Sequence, residues 1–350
     1  MPTPRLASFG LILAVMTLPS ALAQKAKGVA VSEDASHHRV DVTIDGKPFT
    51  SYLWQTNQRK PVLYPLIAPD GTTVTRGYPF DMRSGERVDH PHHAGLWFNY
   101  GNVNGFDFWN NSDAIKPEDR PKYGSIKHDR IVSAKSGHDE GSLVVESTWT
   151  TAAGQDTLKQ NTRYIFARKG EQRSITIIVN LRALETAVFK DDKEGLLGIR
   201  VAHFLESATE KGGMFMDANG KPTQVAAADA AGATGVYRTS EGKVGDAVWS
   251  TRGRWCTLTG TTSDSHIETI AILDHIGNPG YPAYWHARGY GLFAVNPLGA
   301  HIFDPKVPPM NFTVEKNQSV TFRYRVILLS SAATDAEMNH AADAFDKQFK

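Results

Sequence analysis

The sequence predicts a mostly β protein: a large antiparallel β-sandwich, supersandwich-like in size, with long loops at one edge and a C-terminal helix. Three observations carry this expectation. From Ile126 onward, short apolar runs with period-two alternation follow one another, as in Ile175, Ile177 and Val179. Val320, Phe322, Tyr324 and Val326 alternate with Thr321, Arg323 and Arg325, the pattern of a strand with one wet face. Only the last stretch reads as helix, where Thr334-Asp335-Ala336-Glu337 forms a capping box and Met338, Ala341, Ala342 and Phe345 share a face.

Taken in order, residues 1–23 read as a secretory signal. Arg5 supplies the positive end, Phe9 to Leu18 the apolar run, and Ala21-Leu22-Ala23 the small-residue cleavage site. The expectation is an exported protein, periplasmic or extracellular, with a single sandwich domain over 24–350 and no membrane span. Val40, Val42 and Ile44 lead into Asp45-Gly46 and a returning strand from Phe49 to Trp54, the signature of a hairpin. Pro61 to Ile67 reads as a short strand, and residues 75–111 as a long structured loop or several short strands with loops between. Strands are then expected over 126–134, 142–150, 158–167, 173–181, 195–206, 249–259, 266–274 and 291–295.

The full chain carries 38 Lys+Arg and 37 Asp+Glu. Without Arg5 the count is 37 against 37, so no basic excess points to nucleic acid or an anionic membrane. The single cysteine, Cys256, excludes an internal disulfide and reads as a buried inert thiol.

Chemistry concentrates in three blocks. In the first, Asp89 to Trp109, three of 13 histidines fall at positions 90, 92 and 93, and six aromatics follow from Trp97. Such a cluster suits proton handling or a metal, because imidazole titrates near neutrality and its neutral ring is a ligand. The plainer alternative is a polar loop closed over a core. In an extended chain His90 and His92 would share a face, making them the metal candidates, and His93 would point away. No metal motif of defined spacing is matched, so no cofactor is assigned and a divalent metal is left open. The second block, Asp191 to His203, places Glu194 at a strand start, suited to acid or base work, and Arg200 inside an apolar run, where it needs a carboxylate or substrate oxygen. The third block contains Asp274, His275, His286 and Arg288 in turns.

Aromatic faces beside Asn, Asp, His and Arg suit sugars, which present both C–H faces and hydroxyls. The expected function is therefore an exported carbohydrate-active enzyme, a glycoside hydrolase or lyase. Its alternatives are a non-catalytic carbohydrate-binding protein and a metal-dependent enzyme. His92, His93, Glu194 and His286 are the candidate catalytic groups, and Asp107 or Asp274 the candidate second carboxylate. Trp97, Asn104, Asp107, Trp109, Arg200, His275 and Arg288 are the candidate substrate contacts.

The blocks DHPHHxGLWF (89–98), VNGFDFW (103–109), KEGLLGIR (193–200), and DHxxNP, WHxR and YGLFxxNP between 274 and 297 carry a resemblance. With them the chain resembles a family of secreted bacterial proteins of unknown function that bear the inherited label "methane oxygenase PmoA". A subunit of the membrane-bound methane enzyme needs many apolar spans, and none follows residue 23, so methane oxidation is set aside. The resemblance implies a sandwich similar in outline to those of sugar mutarotases and polysaccharide lyases, and a setting in carbohydrate breakdown. Where such relatives carry Arg or Lys after the histidine pair, this chain has Ala94.

Overall fold

The structure, a computed structural model, describes residues 1–2, 27–55, 57–208, 212–226 and 231–349. Apart from its first two positions, the expected signal segment 1–23 lies outside them. The chain opens with β1 (Val29–Asp34), β2 (Arg39–Ile44), β3 (Lys47–Leu53), β4 (Val62–Leu63) and β5 (Leu96–Tyr100). A meander follows: β6 (Gly124–Lys135), β7 (Glu140–Thr151), β8 (Asp156–Lys169) and β9 (Gln172–Ala183). Then come β10 (Ala187–Phe189), β11 (Gly195–Arg200), β12 (Gly213–Met216), β13 (Pro222–Val225), β14 (Val236–Thr239), β15 (Trp255–Thr261) and β16 (Ile267–Asp274). The chain ends with β17 (Tyr284–Arg288), β18 (Leu292–Asn296), α1 (Ala300–Phe303), β19 (Phe312–Val314), β20 (Ser319–Leu329) and α2 (Asp335–Gln348).

Two eight-stranded antiparallel sheets result. The first runs β1-β2-β3-β4-β5-β11-β18-β17, the second β14-β15-β16-β20-β9-β8-β7-β6. Between them lies the main core, to which the first sheet sends Leu96, Phe98, Tyr100, Leu197, Ile199, Phe293 and Val295, and the second sends Leu143, Val145, Trp149, Ile175, Ile177 and Val179. Each such side chain contributes roughly 1.5–3 kcal/mol on burial. The outer face of the second sheet is covered by α2, through Met338, Ala342 and Phe345 against Trp255, Ala271 and Leu273. The mostly β antiparallel sandwich with a C-terminal helix is thus the observed fold. Cys256 is buried, and burial raises its thiol well above the ordinary value.

The hairpin at Asp45-Gly46 forms as expected, with both turn residues at positive φ, 51° and 74°. At α2, Thr334 Oγ1 accepts from the Glu337 amide at 3.2 Å, while Glu337 Oε2 accepts from the Thr334 amide at 2.8 Å. Thr334→Ala removes that reciprocal cap, and denaturant melts are expected to show a loss of about 1 kcal/mol.

β1, β5 and β17 are among the strands that escape the period-two pattern. β1 alternates only briefly before Glu33 and Asp34. β17 carries large or polar residues on both faces, and β5 is buried at all five positions. A central strand covered on both sides has no polar alternate to betray it. The stretch 75–111, expected as a long structured loop or as several short strands with loops between, contains the strand at the middle of the first sheet. Conversely, the run expected over 195–206 leaves the ladder at Arg200 and turns through a short 3-10 segment at His203–Leu205. The run from Trp249 begins pairing only at Trp255.

Candidate active site on the outer face of the first sheet

Alternation along β5, β11, β18 and β17 sets every second side chain on the face away from the main core. Register aligns Trp97 with Gly198, Gly198 with Ala294, and Ala294 with His286. The next row aligns Arg200 with Leu292 and Leu292 with Arg288. Trp97 and His286 thus stand three strand spacings apart, about 14 Å, with two small residues between them. Trp97 leans over the gap: a Cβ added at Gly198 would stand 2.7 Å from its Cζ2 and 3.0 Å from Trp109 Cη2. Gly198→Val is expected to overpack both indoles and cost at least about 1–3 kcal/mol, measurable as a lowered thermal midpoint.

The histidines lie on a turn, not an extended strand. His93 N donates to His90 O at 2.9 Å, with Pro91 and His92 at the corner, so positions i and i+3 converge. This corrects the expected pairing of His90 with His92. The His90 and His93 rings stack 5.0 Å apart at 5°, whereas His92 meets His90 edge-on at 5.7 Å. His93 is clamped further by stacking on Trp97 at 5.3 Å and by Trp109 Nε1, which donates to its Nε2 at 3.2 Å. An indole only donates, so that nitrogen accepts, and the other ring nitrogen, Nδ1, faces Arg200 Nη1 at 3.4 Å. Burial first, then neighbouring His92 and the Arg200 charge, push His93 well below its ordinary pKa. His92 is lowered to about 2, first by burial and then by Lys60. Among the described residues, no group of three or more His, Cys, Asp or Glu could hold a metal ion.

Beneath the turn, Asp89 Oδ1 accepts from Arg76 Nη1 at 2.7 Å and from Arg200 Nη2 at 2.6 Å. The guanidinium side chains are 1% and 0% exposed, so one carboxylate compensates two buried cations. Burial pushes Asp89 upward, yet its His90 hydrogen bond and the Arg200 and Arg76 charges hold it well below the carboxylate range. Arg200 therefore has the carboxylate partner its apolar setting requires, and acts on Asp89 from behind the surface.

Glu194 and His286 come together at the other end of the row. Glu194 Oε2 lies 3.7 Å from His286 Nδ1. This is no ion pair: Nδ1 faces Lys193 O at 2.9 Å and must donate to it, and burial followed by Lys193 lowers His286 to about 3. Glu194 Oε1 receives Lys193 Nζ, while Oε2 is buried without a hydrogen-bond partner. Burial, opposed by Lys193, raises the Glu194 pKa.

Tyr290 joins the two ends. Its ring stacks on His90 at 5.1 Å, and the guanidinium carbons of Arg200 and Arg288 lie 4.9 and 5.9 Å from its centroid. Arg288 also covers Trp249 at 4.8 Å, and Trp249 packs edge-on against His286 at 4.7 Å. A cleft of about 670 Å³ opens here, walled by Asp89, His90, Asp246, Trp249, Arg288 and Tyr290.

Several expected contacts lie elsewhere. Trp97 and Trp109 are 2% and 0% exposed and form a second apolar core, so neither offers a face to a ligand. The Asn104 amide is consumed by the backbone of Val188 and Thr186. Asp107 caps its own turn through the amides of Trp109 and Asn110. His275 packs against Phe345 beneath α2, and Asp274 is bound by Asn278 and the Ala283 amide, so that block serves the second sheet. Arg76, Trp249 and Tyr290 were not anticipated. Arg76 alone leaves a trace, as a charge two positions after the apolar Val74.

Fold and cleft together define an antiparallel two-sheet sandwich with a polar and aromatic cleft on one outer face. The chain belongs to a family of unknown function, DUF6807, whose profile matches residues 39–343. That description does not include the methane-oxygenase label. A search of curated proteins finds no match. Among solved structures it is similar to the GH36 α-galactosidase AgaB of Geobacillus stearothermophilus, at 11% identity and TM-score 0.39, covering 86% of this chain and 41% of that one. It is also similar to a mutant of the heparan sulfate lyase HepC of Pedobacter heparinus, at 9% and 0.36, covering 92% and 38%. A galactose mutarotase related enzyme of Lactobacillus acidophilus gives 9% and 0.29, covering 88% and 98%. The chain spans about two-fifths of the length of the first two. Similarity at this level is one of broad outline. Among the described residues no helix is long and apolar enough to cross a membrane.

Proposed function

We propose that the protein is a carbohydrate-processing enzyme, a glycoside hydrolase or lyase, with Glu194 as its general acid/base. The observation that carries this reading is the unpartnered Oε2 of a buried carboxyl whose pKa is raised, 3.7 Å from a neutral histidine that packs against Trp249, a wall of the cleft. A carboxyl whose pKa is raised keeps its proton to higher pH than a free one and can donate it to a leaving oxygen, while His286 beside it stays neutral. Half-buried Trp249 and Tyr290 offer ring faces to a sugar. Arg288, His90, Asp89 and Asp246 supply donors and acceptors for its hydroxyls. His92 and His93, both held neutral inside the turn, support the position of His90 in this reading and do not exchange the proton.

The test is a panel of glycosides and acidic polysaccharides incubated with the purified protein and with Glu194→Gln. Products that gain the mass of water mark hydrolysis; products of unchanged total mass mark elimination. Turnover by the folded variant within a few-fold of the parent sinks the assignment of Glu194. Binding without turnover by the parent favours the alternative, a non-catalytic carbohydrate-binding protein, which needs only Trp249 and Tyr290.

A further inference from the structure

Lys60, just ahead of β4, is 4% exposed. Its Nζ donates to His92 O at 2.6 Å and lies 5.2 Å from the Trp97 ring centroid. An ammonium has three N–H donors, and this contact uses one. Among the described residues no carboxylate forms an ion pair with it; the acidic group acting on it is Asp107, whose oxygens are engaged by Trp109 and Asn110. Burial pushes the amine down to about 7.

A cavity of about 200 Å³ adjoins it, lined by Lys60, His92, Tyr78, Asn111 and Ser112. His92 Nε2 is buried without a hydrogen-bond partner. Arg59 and Asp113 also reach the cavity but form an ion pair with each other, so they add no net charge. This cavity shares no lining residue with the cleft walled by Trp249, Arg288 and Tyr290; of the turn at 90–93, His90 lines that cleft and His92 lines this cavity.

We infer that the cavity is a second ligand site, one that takes a small monocarboxylate such as a single acidic sugar on the Lys60 ammonium. A buried cation lacking an anion is costly, and a carboxylate supplies the missing charge along with acceptors for the free N–H groups. One uncompensated cation matches one negative charge; a phosphate dianion brings a surplus. The volume lies below the roughly 300–1,000 Å³ typical of drug-sized ligands, which limits the occupant to one small unit. Tyr78, Asn111 and Ser112 supply polar groups for its hydroxyls. The inference stands independently of the role given to Glu194.

Binding couples to a proton. At pH 8 the empty site holds a largely neutral amine, because its pKa is about 7. A bound carboxylate favours the ammonium, so association takes up close to one proton. Titration calorimetry of the full chain with sodium glucuronate, glucose and inorganic phosphate, in buffers of different ionisation enthalpy, measures this. The expected result is glucuronate binding about tenfold or more tighter than either comparator, with proton uptake at pH 8, and about tenfold weaker or lost in Lys60→Met. No glucuronate binding, equal affinity for glucose, tighter binding of phosphate, or absence of proton uptake overturns the inference. So does glucuronate binding that is lost in Arg288→Met and kept in Lys60→Met, since the ligand is then in the other cleft. Proton uptake by the unaltered protein decides the matter even where Lys60→Met fails to fold.

Discussion

Asp89→Ala is expected to cost at least about 3–5 kcal/mol and, in a fold of ordinary stability, to leave little native protein at 37 °C. The reason is the two-to-one arrangement beneath the histidine turn. Arg76 and Arg200 are both buried, and both end on Asp89 Oδ1. Removing that carboxylate leaves two buried guanidinium groups without the one acid that both hydrogen-bond; carbonyl oxygens, His93, the Tyr78 and Tyr290 rings and the charge of Glu206, which is itself paired with Arg87, remain around them. A double variant, Asp89→Ala with Arg200→Met, removes one of the stranded charges and is expected to recover part of the loss. The check is chemical denaturation of the three proteins. Equal stability of Asp89→Ala and parent contradicts the argument.

The same carboxylate gives the fold an acid sensitivity of definite sign. The folded-state pKa of Asp89 lies below its unfolded value of about 3.9. Its contribution is therefore fully present above that unfolded value and disappears as pH falls through the folded one. Stability measured from pH 5 downward should decline more steeply in the parent than in the double variant.

Glu194→Gln is expected to reduce turnover by a factor of about 10²–10⁴, the usual range for a general acid or base, while leaving stability nearly unchanged. Glutamine keeps the shape of the side chain and the contact near His286, but it holds no transferable proton. The pH profile distinguishes this from simple damage. Burial raises the Glu194 pKa, so the alkaline limb of kcat/KM should lie above the ordinary Glu value of about 4.3. Activity that needs protonated Glu194 is then present below that limb and lost above it. His286, lowered to about 3, stays neutral across the same window and adds no limb near neutrality. A profile whose alkaline limb is unmoved in Glu194→Gln assigns that limb to another group.

Part of the candidate site is legible in the sequence. Arg200 interrupted an apolar run and called for a carboxylate, and Asp89 answers it from a segment 111 positions earlier in the chain. Glu194 and His286 were both singled out, although nothing in their spacing said that they meet. The misreadings share one cause. Trp97 and Trp109 read as sugar platforms because aromatic faces beside Asn and Asp suit sugars, but Trp97 stands on a central strand covered on both faces and Trp109 packs against it in the second apolar core. His275 had the same local chemistry as His286, yet β16 belongs to the second sheet and its end packs under α2.

The amino-acid sequence alone determined the elements whose signal is local: the alternating strands of the second sheet, the Asp45-Gly46 turn and the capped final helix. Each rests on interactions within a few residues or on one exposed face, which leaves a periodic record in the chain. Tertiary structure decided which polar groups became chemistry. The cleft draws Asp89, His90, Asp246, Trp249, Arg288 and Tyr290 from distant segments, and cross-strand register set Arg288 opposite Arg200's row and His286 opposite that of Trp97. Burial then fixed protonation, holding His93 and His286 neutral and raising Glu194. Register and burial are properties of the packed sheets, and no single stretch of sequence records them.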